Sequence, residues 1–299
     1  MLSMNDGRKG WGNPAQIDRL RLKVQLAFLF VWLLPVGSRL HAFPACVFHC
    51  YACPASSFAC PIGLLANYAA LFPAILSVTI MPWLVLGVLV FAGALVGTRI
   101  CGWVCPFGLI QDVIAKLGPK RKIGLPSWVG LGRYAVLLGL VIILPMYFGA
   151  KGLFYEEQPI TVCKICPAGA LEAGLPYSLY GLVKGGEWQM GVFKSTLLAV
   201  FLLVAMWVYR PWCRVLCPLG GFLALMNKVS LGRLHVESEK CLQCNVCLRL
   251  CPVGIAPVEN PNSVRCIRCL RCVSCGVISW KSILGTSSKE RGGETPPSK

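Results

Sequence analysis

Two stretches decide how this chain is read: Arg99-Ile-Cys101-Gly-Trp-Val-Cys105-Pro-Phe-Gly108 and Arg210-Pro-Trp-Cys213-Arg-Val-Leu-Cys217-Pro-Leu-Gly220. Both read C-x3-C-P-x-G. Residues four apart share one face of a helix, so each motif offers two thiols side by side. Proline after the second cysteine turns the chain and removes a backbone donor. The shorter unit C-P-x-G recurs at Cys60, Cys166 and Cys251. Small buried cysteines often serve packing alone, but two matched copies favour chemistry. An iron–sulfur cubane takes four thiolates, and the two motifs supply four: Cys101, Cys105, Cys213 and Cys217.

Outward from the motifs the chain is strongly apolar. Of 299 residues, 56% are hydrophobic and only 14% charged, with a mean hydropathy of +0.65. Soluble domains carry about 25% charged residues, so the composition reads as an integral membrane protein. Four apolar runs, 22–37, 79–98, 128–148 and 192–209, are the expected spans. The first could also be a cleaved signal peptide, although a long polar leader precedes it. The charge-free stretch 62–98 holds Pro73 and Pro82, and 62–72 reads as a short helix at the outer interface. Lys and Arg number 29 against 12 Asp and Glu, for a net charge of +17. All of these bases except Arg39, Lys151, Lys164, Lys184 and Lys194 fall on one side of this topology. By the positive-inside rule that side is cytoplasmic and holds both termini. The charge is thereby explained as orientation in a cytoplasmic (inner) membrane, without a nucleic-acid partner. The four spans form two pseudo-repeated hairpins.

The tail carries the sharpest signal. Cys241-x2-Cys244-x2-Cys247-x3-Cys251-Pro is a bacterial ferredoxin run, followed by Cys266-x2-Cys269-x2-Cys272 and then Cys275. In two-cluster ferredoxins the fourth cysteine of each run ligates the other cluster. That assigns Cys241, Cys244, Cys247 and Cys275 to one cubane, and Cys251, Cys266, Cys269 and Cys272 to the other. The second run departs from the pattern, closing with two intervening residues and no proline. A zinc ribbon wants more widely separated knuckles. The expected fold is therefore an all-α membrane protein of four transmembrane helices with a small α+β 2[4Fe-4S] ferredoxin domain. Its parts are an N-terminal segment (1–21), a membrane domain (22–230), the ferredoxin domain (231–284) and a polar, disordered tail (285–299).

The outer loops hold Cys46, Cys50, Cys53, Cys60, Cys163 and Cys166. Their C-x2-C-P spacing suits a further cluster, while thiols outside the cytoplasm also form disulfides; both readings stand. Haem is not expected. None of His41, His49 and His235 lies in an apolar run, and no C-x-x-C-H attachment motif is present.

With four spans, two inner C-x3-C-P motifs and a two-cluster tail, residues 22–281 resemble the NapH-type membrane ferredoxins, a family related to NosR and MauN. The resemblance implies a subunit of a membrane electron-transfer complex that oxidises quinol and feeds a periplasmic reductase or cytochrome. The outer cysteine-rich loop and the shortened second run set this chain apart. The expected function is relay of electrons between quinol or a cytoplasmic donor and a partner redox enzyme. An iron–sulfur redox sensor with outer disulfides is the alternative.

Overall fold

Helices account for most of the structure, a computed structural model that describes residues 13–33, 60–72, 81–119, 122–188 and 190–282. Cys46, Cys50 and Cys53, His41 and His49, and the polar tail from 285 onward lie outside the described residues.

The four-span expectation does not hold. Among the described residues one helix, Trp128–Ala150, is long and apolar enough to cross a membrane. Its 23 residues and hydropathy of 2.0 suit a bilayer core about 30 Å thick, and only 22% of its apolar window is buried in the protein. The apolar helices Met81–Val96 and Val192–Trp207 have 16 residues each. Their lengths are set by backbone events that composition does not show. At Gly97 the chain takes a left-handed φ of +56°, with no room for a side chain beside Asn227 and Arg268. At Val208 it becomes extended, and Arg210 follows with φ +48°. The first helix, Pro14–Leu33, starts inside the expected N-terminal segment and carries Asp18, Arg19, Arg21 and Lys23 along its first half. Arg21 and Gln25 are buried there against the protein.

The helix Pro61–Ala70 packs Ile62, Ala66 and Ala70 into a core with Val85, Leu89, Val136 and Val141. A second core gathers Phe107, Leu198, Phe201, Ala205 and Trp212. Cys217 touches both, so the second cysteine motif sits at their junction.

The C-terminal part is held by a two-stranded antiparallel sheet, β1 (Gly232–Val236) and β2 (Ile278–Ser282), with Leu234 opposite Trp280. The tail cysteines lie between these strands. Two further cores unite this part with the rest: Ile17 and Trp103 pack with Leu234, Leu270 and Ile278, and Ala115 and Tyr209 with Val253, Ile255 and Ile267.

Candidate iron–sulfur centres

Each inner motif folds as a single wide helical turn, Ile100–Val104 and Trp212–Leu216. Cys105 N donates to Ile100 O at 3.1 Å and Cys217 N to Trp212 O at 2.8 Å, the i→i+5 bond of a π-turn, a geometry common at functional sites. The wider turn brings residues four apart closer to one azimuth than the 3.6-residue α-turn does. Cys105 and Cys217 are then extended, each standing before a proline that starts the next helix, Pro106–Leu117 and Pro218–Met226. The motif glycine closes the device: Gly220 N donates to Cys217 Sγ at 3.3 Å.

Cys101, Cys105 and Cys213 are buried, and Cys217 beside them is half-buried. Burial first, and then the neighbouring Cys213, push Cys101 up to about 12. Cys105 and Cys217 are also raised by burial and by the sulfurs around them. Cys213 is raised by burial although Arg210 and an amide bond from Gln111 Nε2 at 3.1 Å favour its thiolate. Such thiols stay protonated at neutral pH unless a metal centre takes their protons. All four line a cavity of about 90 Å³ whose walls carry no charged side chain. Cys60, Cys163 and Cys166 line the same cavity. The sequence reading set these three on the face opposite the inner motifs; the structure brings both sets to one place.

The tail forms two further groupings. Cys241, Cys244, Cys247 and Cys275 line one cavity of about 340 Å³. Cys251, Cys266, Cys269 and Cys272 line a second, of about 20 Å³. Backbone geometry repeats between the runs. The residues on either side of each middle cysteine, Gln243 and Asn245 around Cys244, Arg268 and Leu270 around Cys269, all have φ between 49° and 64°. Left-handed backbone at non-glycine residues costs about 1–3 kcal/mol each and persists where the surroundings impose it. It turns amides toward sulfur: Arg268 N donates to Cys266 Sγ at 3.3 Å. The donor sets and this backbone fit [4Fe-4S] clusters. Among the described residues no group of His, Cys, Asp or Glu is placed to hold a single metal ion; a cubane spreads its ligands around a cage.

Several residues that the sequence did not mark hold the two parts together. Arg268 is fully buried and donates to Val96 O (3.0 Å), Gly232 O (2.8 Å), Asn227 O (2.8 Å) and Ser230 Oγ (2.7 Å). Burial lowers its pKa to about 10, against the opposing pull of Cys266. Thr98 Oγ1 and Asn227 Nδ2 both donate to the Cys266 carbonyl, at 2.7 and 2.9 Å. Trp103 Nε1 donates to Arg268 O at 3.2 Å. Beneath the inner motifs Asp112 accepts from Arg210 Nε at 2.8 Å and pairs with Arg21. Burial alone would raise Asp112, but the two guanidiniums draw it down to about 2. Arginine and asparagine in apolar surroundings were the only signal available, and charge counting had spent them on topology.

A family model described as a 4Fe-4S binding domain matches residues 78–126 and 191–237. Each match encloses one C-x3-C-P-x-G motif. Among curated proteins the chain is 28% identical to YccM of Escherichia coli, described as a candidate electron transport protein, over 72% of this chain and 58% of YccM. It is 30% identical to the methylamine utilization ferredoxin-type protein MauN of Methylorubrum extorquens, over 52% of this chain and 47% of MauN. It is 26% identical to the ferredoxin-type protein NapH of Haemophilus influenzae, over 55% of this chain and 51% of NapH. The chain thus spans about half the length of these relatives. No solved structure matches it. Twice-matched motifs and ferredoxin-type relatives make the chain similar to iron–sulfur proteins of the NapH/MauN type.

Proposed function

We propose that this chain conducts electrons through three [4Fe-4S] centres, held by Cys101, Cys105, Cys213 and Cys217, by Cys251, Cys266, Cys269 and Cys272, and by Cys241, Cys244, Cys247 and Cys275. Clusters of this kind supply one-electron transfer, and the protein tunes them by burial and hydrogen bonding. The observation that carries the reading is the seat of Gly102. A β-carbon there would lie 2.5 Å from the Ile267 carbonyl oxygen, so the backbone beside Cys101 touches the backbone beside Cys266. Thr98 and Asn227 fix that contact from either side. The inner thiols, the middle set and the outermost set then form a sequence from buried to exposed, ending at Cys244 on the surface.

Membrane attachment is part of the proposal. The exposed apolar helix Trp128–Ala150 supports it. A quinol or a reduced cytoplasmic carrier is the proposed donor, and a partner redox enzyme the acceptor.

Iron and acid-labile sulfide counts on anaerobically purified chain, with low-temperature EPR, test the core of this reading. Three centres require about twelve irons. About eight irons, unchanged by Cys101→Ser, would confine the clusters to the tail and remove the inner centre.

A further inference from the structure

The cavity at the paired motifs holds more sulfur than one cubane uses. Cys101, Cys105, Cys213 and Cys217 already make four. Cys60, Cys163 and Cys166 add three more to the same lining.

Their placement is organised. Cys60, Cys105, Cys166 and Cys217 share one backbone state, with φ from −76° to −64° and ψ from 109° to 125°. Each stands just before a proline that opens a helix. In each, the cysteine carbonyl accepts from the amide four residues on: Leu64 at 2.9 Å, Leu109 at 3.2 Å, Ala170 at 3.1 Å and Gly221 at 3.0 Å. The device that delivers Cys105 and Cys217 to the cavity thus delivers Cys60 and Cys166 as well. Cys163 joins them one turn earlier, with Tyr155 Oη donating to its Sγ at 3.4 Å. The remaining walls are aliphatic and aromatic, among them Ile62, Phe107, Val162 and Trp212. A polar organic ligand would find no charged partner there. Soft thiolates in an apolar pocket select iron–sulfur centres, zinc or cuprous copper, and iron already suits the neighbouring set.

We propose that Cys60, Cys163 and Cys166 ligate a second iron–sulfur centre inside this cavity, beside the one assigned to Cys101, Cys105, Cys213 and Cys217, on whose existence the proposal rests. Sharing one cavity, the two centres exchange single electrons directly. One is oxidised as the other is reduced, and no bond or proton moves.

The test uses full-length chain purified anaerobically, with iron, zinc, copper and sulfide counts, EPR and thiol mapping by mass spectrometry. A second centre on three thiolates would bring three or four irons, for a total of about fifteen or sixteen. Cys163→Ser with Cys166→Ser should remove about three or four of them and leave the tail signals intact. The signal of the remaining motif centre should sharpen as its magnetic neighbour disappears. Cys60→Ser is the milder second variant, because serine is itself a favoured residue before a helix; it should give the same loss. A wild-type count of about twelve that these variants leave unchanged would overturn the second centre alone. So would zinc or copper at these cysteines, or disulfides among them. A count of about eight would remove the motif centre and this proposal with it.

Discussion

Arg210 donates from Nη1 to the carbonyl oxygen of Cys101 across 2.7 Å, so the second cysteine motif holds the backbone of the first. The same guanidinium is clamped by Asp112, which also takes Arg21 from the N-terminal helix. One carboxylate therefore compensates two buried cations at the point where the two cysteine motifs meet.

Asp112→Asn leaves both guanidiniums without their charge partner and should destabilise the fold by about 3–5 kcal/mol at neutral pH. Folding depresses this carboxyl from 3.8 to about 2. Its contribution is therefore complete above pH 4 and disappears as pH falls through 2. Thermal unfolding of both proteins across this range should show the difference between them shrinking as acid is added. A constant difference would mean that Asp112 is not ionised in the fold.

Gly102→Ala drives a β-carbon into the Ile267 carbonyl, a backbone atom that moves only with the tail. Overpacking of this kind costs about 1–3 kcal/mol. The variant should keep its iron while reduction of the tail clusters through the inner motif slows in stopped-flow traces. Wild-type kinetics with intact iron would show that electrons do not use this contact.

The proposed cluster membership in the tail crosses between the two runs, as the lining of the two cavities does. Cys251→Ser and Cys266→Ser should each cost about four irons, and combining them should cost no more. Cys251→Ser with Cys244→Ser should cost about eight, although both belong to the first run. Equal losses from the two double variants would refute the crossing.

Leu138 lies near the middle of Trp128–Ala150 and is 56% exposed. An arginine at the centre of a membrane helix costs about 2.5–3.5 kcal/mol on insertion scales. Leu138→Arg should therefore shift the chain from the membrane to the soluble or aggregated fraction, and Leu138→Phe should not. Equal fractionation of the two would mean that this helix faces protein rather than lipid.

The sequence pointed to Cys241, Cys244 and Cys247, and to Cys266, Cys269 and Cys272, as two sets, and each set lines its own cavity, because C-x2-C-x2-C spacing is a local property. The span count failed for the opposite reason. Hydropathy reports how long a run stays apolar, but Gly97 and Val208 end their helices through backbone conformation and through what packs there. The meeting of Cys60, Cys163 and Cys166 with the inner motifs was hidden by the same error, since alternating spans put them on opposite faces. Arg268 and Leu270 carried no mark at all, because nothing in a bulky side chain announces a left-handed backbone.

Seating of Cys266 and Arg268 against Thr98, Trp103 and Asn227 has a kinetic meaning. A soluble ferredoxin must find its partner, and long-range charge then makes its rate sensitive to salt. In the proposed relay the inner and tail centres are parts of one core, so the step between them has no encounter. Neither viscosity nor ionic strength should set its speed, and dilution cannot uncouple it.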